Sequence, residues 1–331
     1  MYAQKKNGQV ICGTYEKDSH RVVDIESCLL EDKQSTAIIR DIRGLLRSFK
    51  IKPYNEDTGY GLLRHVLVRH AHATGEVMVV LVIASPILPS KNNFVKALRQ
   101  MHPEITTVVL NINGRNTSMV LGDQEKVLYG KGYIVDELLG MRFRISAKSF
   151  YQVNPLQTEK LYSLALEYAG LTGQEVVWDL YCGIGTISLF LAQAAKHVYG
   201  VEIVPEAIAD ARENAKNNQI DHATFYVGKA EEVLPQWVDE HKKDVDEGLH
   251  PDVIVVDPPR KGCDEKCLET MVTMAPERIV YVSCDSATLA RDLKYLQANG
   301  YEVTRVRPVD QFCHSMHVET VCLLSIQNKM I

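Results

Sequence analysis

The sequence predicts an α/β protein, with a seven-stranded doubly wound sheet in its C-terminal half and a smaller α+β domain ahead of it. Three observations carry this. From residue 176 onward, short apolar runs alternate with helix-period segments, the pattern of parallel strands joined by crossover helices. The first of those runs is VVWDLYCGIGT (176–186), in which an acidic residue and two closely spaced glycines separate strand from helix. A chain of 331 residues is also too long for one ordinary core, so two domains, 1–140 and 141–331, are the default.

Taken in order, residues 22–25 and 62–70 cluster apolar side chains in strand fashion, and EVMVVLVIA (76–84) reads as a buried strand. His72-Ala-Thr-Gly75 lies between the last two as a hairpin turn. Helical periodicity covers 35–49, ending before Pro53, and 91–101, ending at His102-Pro103. A β-branched strand at 106–112 closes on Asn113-Gly114. A helix then opens with Pro155 and runs to 169, and Gly170 follows it. Strands are predicted at 176–181, 197–201, 224–227, 252–256, 278–283, 302–308 and 318–325, with helices at 187–195, 205–217, 267–274 and 286–299. Residues 239–248 read as a charged surface loop.

Composition narrows the class. Hydrophobic residues make up 46% and charged residues 24%, the balance of a globular protein. No apolar run approaches the ~20 residues that span a bilayer, and MYAQKKNGQV lacks the apolar stretch of a secretory signal. The reading is cytoplasmic, without a membrane partner, and nothing calls for an obligate protein partner. Net charge is −5, but residues 1–150 hold 21 Lys and Arg against 15 Asp and Glu, whereas 151–331 hold 16 against 27. A basic half on an acidic half suits a polyanion held by one domain and processed by the other. The eight cysteines show no disulfide spacing. Cys263 and Cys267 lack a second pair at metal-ligand spacing, so a structural role is the better reading.

The chemistry gathers at predicted strand ends. Gly183-Ile-Gly185-Thr186 is not the three-glycine turn of dinucleotide folds, because residue 188 is Ser. With Asp179 ahead of the turn and Glu202 ending the next strand, it suits S-adenosylmethionine: Asp179 near the sulfonium end, Glu202 on the ribose hydroxyls. Asp257-Pro-Pro-Arg260 follows the fourth strand, and its paired prolines present Asp257 on a stiff, extended backbone. Amino-group methyltransferases use such a turn with an aromatic after it. Here Arg260 follows. Cys284 ends the fifth strand just before a helix, whose N-terminus should lower its pKa. Glu319 enters the last apolar strand, either facing solvent or serving as a functional carboxylate.

These pieces, FYQVN (150–154), DLYCGIGT (179–186), DPPRKG (257–262), VSCD (282–285) and HVET (317–320), resemble the RNA uridine-5 methyltransferases in order and separation. The start, GTYEKDSHRVVDIESC (13–28), is most similar to the branch acting on bacterial 23S ribosomal RNA. The resemblance implies a Rossmann-like S-adenosylmethionine domain making 5-methyluridine in RNA, with Cys284 as nucleophile and Glu319 as proton acceptor. It also implies that Gln152, Tyr181, Thr186, Glu202, Lys229 and Asp257 contact the methyl donor, and that Phe150 and Arg260 face the target base. Thr186 and Lys229 stand where relatives often carry Asn, and Asp285-Ser286 replaces the Asn-Pro that usually follows the cysteine. Ribosomal-RNA members often carry a four-cysteine iron–sulfur site. Cys28 matches its last ligand, and the other three are missing, so no cluster is expected. Competing readings are a transfer-RNA uridine methyltransferase, an amino-group methyltransferase using Asp257, and a catalytically inert RNA-binding protein.

Overall fold

The computed structural model describes residues 1–6, 8–117, 119–241 and 250–327, which fall into two compact units. The first comprises residues 1–137 and 144–148, and the second residues 138–143 and 149–331. The division therefore runs through the hairpin of β8 (Tyr133–Leu138) and β9 (Met141–Ser146).

In the first unit the strands are β1 (Tyr2–Lys6), β2 (Gln9–Tyr15), β3 (Val22–Asp24), β4 (Leu63–His70), β5 (Val77–Ile83), β6 (Ile105–Ile112) and β7 (Gln124–Tyr129). They form one sheet in the order β3-β2-β1-β4-β5-β6-β7. The parallel β5–β6 pair is bridged by α2 (Lys91–Met101), and α1 (Lys33–Ser48) precedes β4. Ile38, Ile42, Leu45 and Leu46 recur at helical spacing along α1 and join Val77, Val79, Leu81 and Ile83, the alternate residues of β5, in one buried cluster. Asp32 caps α1 by accepting from the Ser35 N–H at 2.7 Å. The predicted strands and helices here are all present. β1, β2, β7 and the β8–β9 hairpin were not foreseen.

The second unit opens with α3 (Pro155–Ala169), capped by Asn154 and closed by Gly170 in the left-handed region. It continues β10 (Val176–Asp179), α4 (Thr186–Ala192), β11 (His197–Glu202), α5 (Pro205–Asn217), β12 (Ala223–Val227), α6 (Ala230–Glu240), β13 (Val253–Val256), α7 (Glu265–Met274), β14 (Arg278–Ser283), α8 (Ser286–Ala298), β15 (Tyr301–Val309) and β16 (Glu319–Ile326). The sheet order is β12-β11-β10-β13-β14-β16-β15, with β16 antiparallel to both neighbours. This is the seven-stranded Rossmann-like fold expected of the second half. The chain winds outward from β10 in one direction through β12, then restarts on its other side at β13, so the strand order reverses between them. Ligands of such sheets bind outside the carboxyl ends of the strands at that reversal.

One helix, α6, was not foreseen. Asp239 and Glu240 belong to its last turn rather than to a loop, and residues 242–248 of the predicted loop lie outside the described residues. Trp178, Tyr281, Leu324 and the alternate positions of β13 fill the core, together with Cys263 and Cys267. Among the described residues, no helix is long and apolar enough to cross a membrane.

Candidate active site

The carboxyl edge of the second sheet collects nearly every residue singled out above. β10 ends at Asp179, which is wholly buried, accepting from the Ser188 hydroxyl at 2.7 Å and more weakly from the Tyr181 N–H at 3.4 Å. Burial pushes its pKa up to about 6 despite those bonds. Asp179, expected near the sulfonium end of a ligand, is enclosed here and engaged by the turn itself. It ties the start of α4 to the end of β10 and so shapes the loop between them.

Within that loop Gly183 (φ +54°) and Gly185 (φ +82°) both occupy the left-handed region. A Cβ on Gly183 would meet open space, which suits close approach of a ligand to the backbone. A Cβ on Gly185 would lie 3.2 Å from the Phe225 ring and 3.3 Å from the Ala211 Cβ. Gly185→Ala should therefore destabilise by more than the ~1–2 kcal/mol of backbone strain alone. Gly183→Ala should cost no more than that strain, and urea unfolding of the two variants reads the difference.

Cys182 beside them is an inert core thiol, as its burial implied, pushed far above its ordinary pKa. Glu202 ends β11, half-buried, and holds the next turn by accepting from the Val204 N–H at 2.9 Å. Lys229, exposed after β12, pairs with Glu232 at 3.6 Å. Tyr181 is half-buried and its hydroxyl donates to Cys267 Sγ at 3.7 Å, so that end of the side chain is committed to the core. Cys263 and Cys267 are both buried in the core, and among the described residues no group of three or more His, Cys, Asp or Glu could hold a metal ion. Cys28, free and half-exposed, lies in the first unit.

The reactive groups meet on the other side of the reversal. β14 and β16 pair antiparallel through Ser283↔Thr320, and one further step brings Cys284 and Glu319 to the same end of the two strands. Asp257 stands one residue beyond Val256, itself opposite Tyr281 on β14. Glu319 is 3% exposed, and its Oε2 has no hydrogen-bond partner among the described residues. Of the two readings open to it, the structure gives the inward one, and burial pushes its pKa up to about 7. Asp257 is held well above the usual carboxylate range by burial and by the nearby Glu319 and Asp179. Such a crowd of acids favours an incoming cation, so the site fits a sulfonium centre.

Glu319 also makes stability pH-dependent. In the folded protein its carboxyl keeps its proton to about pH 7, whereas an ordinary value is 4.5. The stabilisation is complete below the unfolded value and is lost as pH rises through 7, a span of roughly 3 kcal/mol at ~1.4 per unit. In Glu319→Gln the loss should vanish. The variant should gain about that much relative to wild type between pH 4.5 and 8 in denaturant titrations.

Cys284 is half-buried, and its predicted pKa shift has the wrong sign. Burial raises it first, then the negative charges of Glu319 and Asp257, while Arg260 lowers it by less. The helix N-terminus does not rescue the thiolate, because Asp285 already spends its carboxylate on the Ala287 and Thr288 N–H groups at 3.0 Å each. Arg260 itself is exposed, and its carbonyl accepts from the Thr288 hydroxyl at 3.1 Å. Phe150 is 69% exposed. Gln152 is buried, where the Gln311 amide donates to its Oε1 at 3.3 Å.

Two groups of supporting residues escaped the sequence reading. Asp292 on α8 accepts from the Tyr281 hydroxyl at 2.6 Å and the Cys263 N–H at 2.9 Å, and Arg291 reaches the Lys261 and Cys263 carbonyls. Together they clamp the turn after Asp257-Pro-Pro. Gln311 bonds both Gln152 and Thr158, and Tyr162 bonds Gln152. Neither group carries a local signal, since each joins segments far apart in the chain.

The model of the tRNA (uracil-5-)-methyltransferase family matches residues 68–327. The chain belongs to that family. Uncharacterized RNA methyltransferases of Halalkalibacterium halodurans and Listeria monocytogenes are similar to this methyltransferase. The first is 48% identical over 324 residues, covering 98% of this chain and 69% of the relative. The second is 49% identical over 320 residues, covering 97% and 69%. The crystal structure of the Pyrococcus abyssi tRNA (uracil-54, C5)-methyltransferase with S-adenosyl-L-homocysteine superposes with a TM-score of 0.77 at 27% identity, covering 97% of this chain and 74% of that one. The methyltransferase is thus an S-adenosylmethionine-dependent RNA uracil-C5 enzyme.

Proposed function

We propose that this methyltransferase makes 5-methyluridine in 23S ribosomal RNA through a transient bond between Cys284 and C6 of the target uracil. The observation that carries the chemistry is the buried Glu319, whose Oε2 has no partner among the described residues, beside Cys284 at the end of adjoining antiparallel strands. Uracil C5 is a weak nucleophile. Attack by Cys284 Sγ at C6 makes C5 electron-rich, and elimination later returns the thiol. Cys284 must first lose its proton, and the resting acids that hold its pKa up give way when a cation enters. S-adenosylmethionine supplies, when bound, an electrophilic methyl for C5. Glu319, with a pKa about 7, is poised to take the C5 proton at neutral pH. Gln152, Tyr181, Gly183, Gly185, Thr186, Glu202, Lys229 and Asp257 hold the methyl donor, Asp257 facing its positive sulfur and Glu202 its ribose. Phe150 offers stacking to a base drawn out of its helix, and Arg260 a cation to its phosphate.

The 23S target is supported by the likeness of residues 13–28 to the ribosomal branch and by the basic balance of residues 1–150. Transfer RNA is the second reading, favoured by the Pyrococcus structure. Incubating the enzyme with labelled methyl donor and either 23S fragments or transfer RNA, then digesting to nucleosides, tests both. Label in 5-methyluridine from 23S RNA is the expected result. Label in transfer RNA alone would replace the target, and label in any other nucleoside would sink the chemistry.

A further inference from the structure

We propose that Gln311 is a positioning residue: it sets the direction of a hydrogen-bond chain from the Asn154 carbonyl to Thr186, so that Gln152 and Thr186 present donors to the methionine carboxylate of the methyl donor. The inference rests on the reading that these two residues contact that molecule.

The direction follows from proton counting. The Thr158 hydroxyl donates its one proton to the Asn154 carbonyl at 2.7 Å, so towards Gln311 it can only accept. Gln311 must therefore turn its amide nitrogen inward, 3.0 Å from Thr158 Oγ1 and 3.3 Å from Gln152 Oε1. Both of its N–H groups are then spent. Gln311 is 2% exposed and its Oε1 has no partner among the described residues. Turning the amide over would strand two donors in place of one acceptor, so the orientation is imposed by its neighbours. The backbone is tied as well, with Asn154 Nδ2 donating to the Gln311 carbonyl at 3.2 Å.

With Oε1 of Gln152 committed to Gln311, its NH2 group faces the other way. One hydrogen goes to the Tyr162 oxygen, since the Gln152 carbonyl is already engaged by Gln311 and only its NH2 group is left to bond there. Tyr162 remains protonated, because burial and Asp257 both raise it. Tyr162 Oη and Thr186 Oγ1 lie 3.3 Å apart and either can donate; with the Tyr162 oxygen accepting from Gln152, its hydrogen is assigned to Thr186, the other partner of that hydroxyl among the described residues. What remains is one N–H on Gln152 and the hydroxyl proton of Thr186, which is half-exposed at the start of α4. Both are donors. The methionine moiety offers an ammonium, which would compete with them, and a carboxylate, which would accept from both.

The test is calorimetric titration of the whole protein with S-adenosylhomocysteine and with 5′-methylthioadenosine, which lacks the amino-acid portion. Gln311→Met keeps the length and apolar packing but removes the donors. It should weaken S-adenosylhomocysteine about tenfold, the loss of one hydrogen bond to a charged group, and leave methylthioadenosine unchanged. Gln311→Glu should be weakened likewise when ionised and should recover as pH falls through its own carboxyl pKa, because the protonated acid can donate again. Unchanged binding of S-adenosylhomocysteine, or an equal loss for both ligands, would overturn the role of Gln311. Wild-type protein that bound neither nucleoside would instead overturn the donor site on which the inference stands.

Discussion

Cys284→Ser removes at least about 10⁴ of the methylation rate while S-adenosylhomocysteine binds as before. A serine hydroxyl is a far weaker nucleophile than a thiolate. Removing a nucleophile that acts together with its base usually costs most of the catalysis that the pair provides. Retained nucleoside binding separates lost chemistry from lost folding. The resting thiol is disfavoured as an anion by burial, Glu319 and Asp257, so the wild-type pH profile also carries information. With donor bound, its cation offsets those acids, and the rising limb should move to lower pH than iodoacetamide labelling of the free protein reports. Methyl incorporation by Cys284→Ser within tenfold of wild type would remove the covalent route.

Glu319→Gln should stop the cycle after the methyl group has arrived and before the enzyme is free. Without a proton acceptor at C5 the Cys284–C6 bond cannot be eliminated, and protein joined to RNA should accumulate on a denaturing gel. Loss of a positioned general base costs about 10²–10⁴ in turnover. The wild-type release step should rise as pH passes through about 7, the value to which burial lifts this carboxyl, because only the ionised form can take a proton. The variant should lose that dependence. Free protein at every time point, with turnover blocked, would assign the base to another residue.

Much of the second unit was legible because parallel strands covered on both faces appear as unbroken apolar runs, and β13 (VIVV) and β14 (RIVYVS) have no other reading. α6 was not, since Pro235 interrupts it and its acidic first turn resembles a solvated loop. In the first unit β1 and β7 carry mostly polar or half-exposed residues, and only pairing with a neighbour makes them strands. The catalytic pair was visible as residue types at strand ends, but its electrostatics were not. Whether a thiol beside a helix is favoured as an anion depends on which side chain already caps that helix and on carboxylates from two other strands. For the same reason Asp179 could be placed beside the glycine turn but not seen to be sealed beneath it by Ser188.

β16, the last strand of the sheet, lies between β14 and β15 although it is made after both. During synthesis the thiol therefore emerges before its acid partner, whose strand then pairs between β14 and β15. Release from the covalent adduct, which needs that acid, becomes possible only once the segment is inserted. A chain released early, lacking residues 319–326, would keep the cysteine without the acid that frees it.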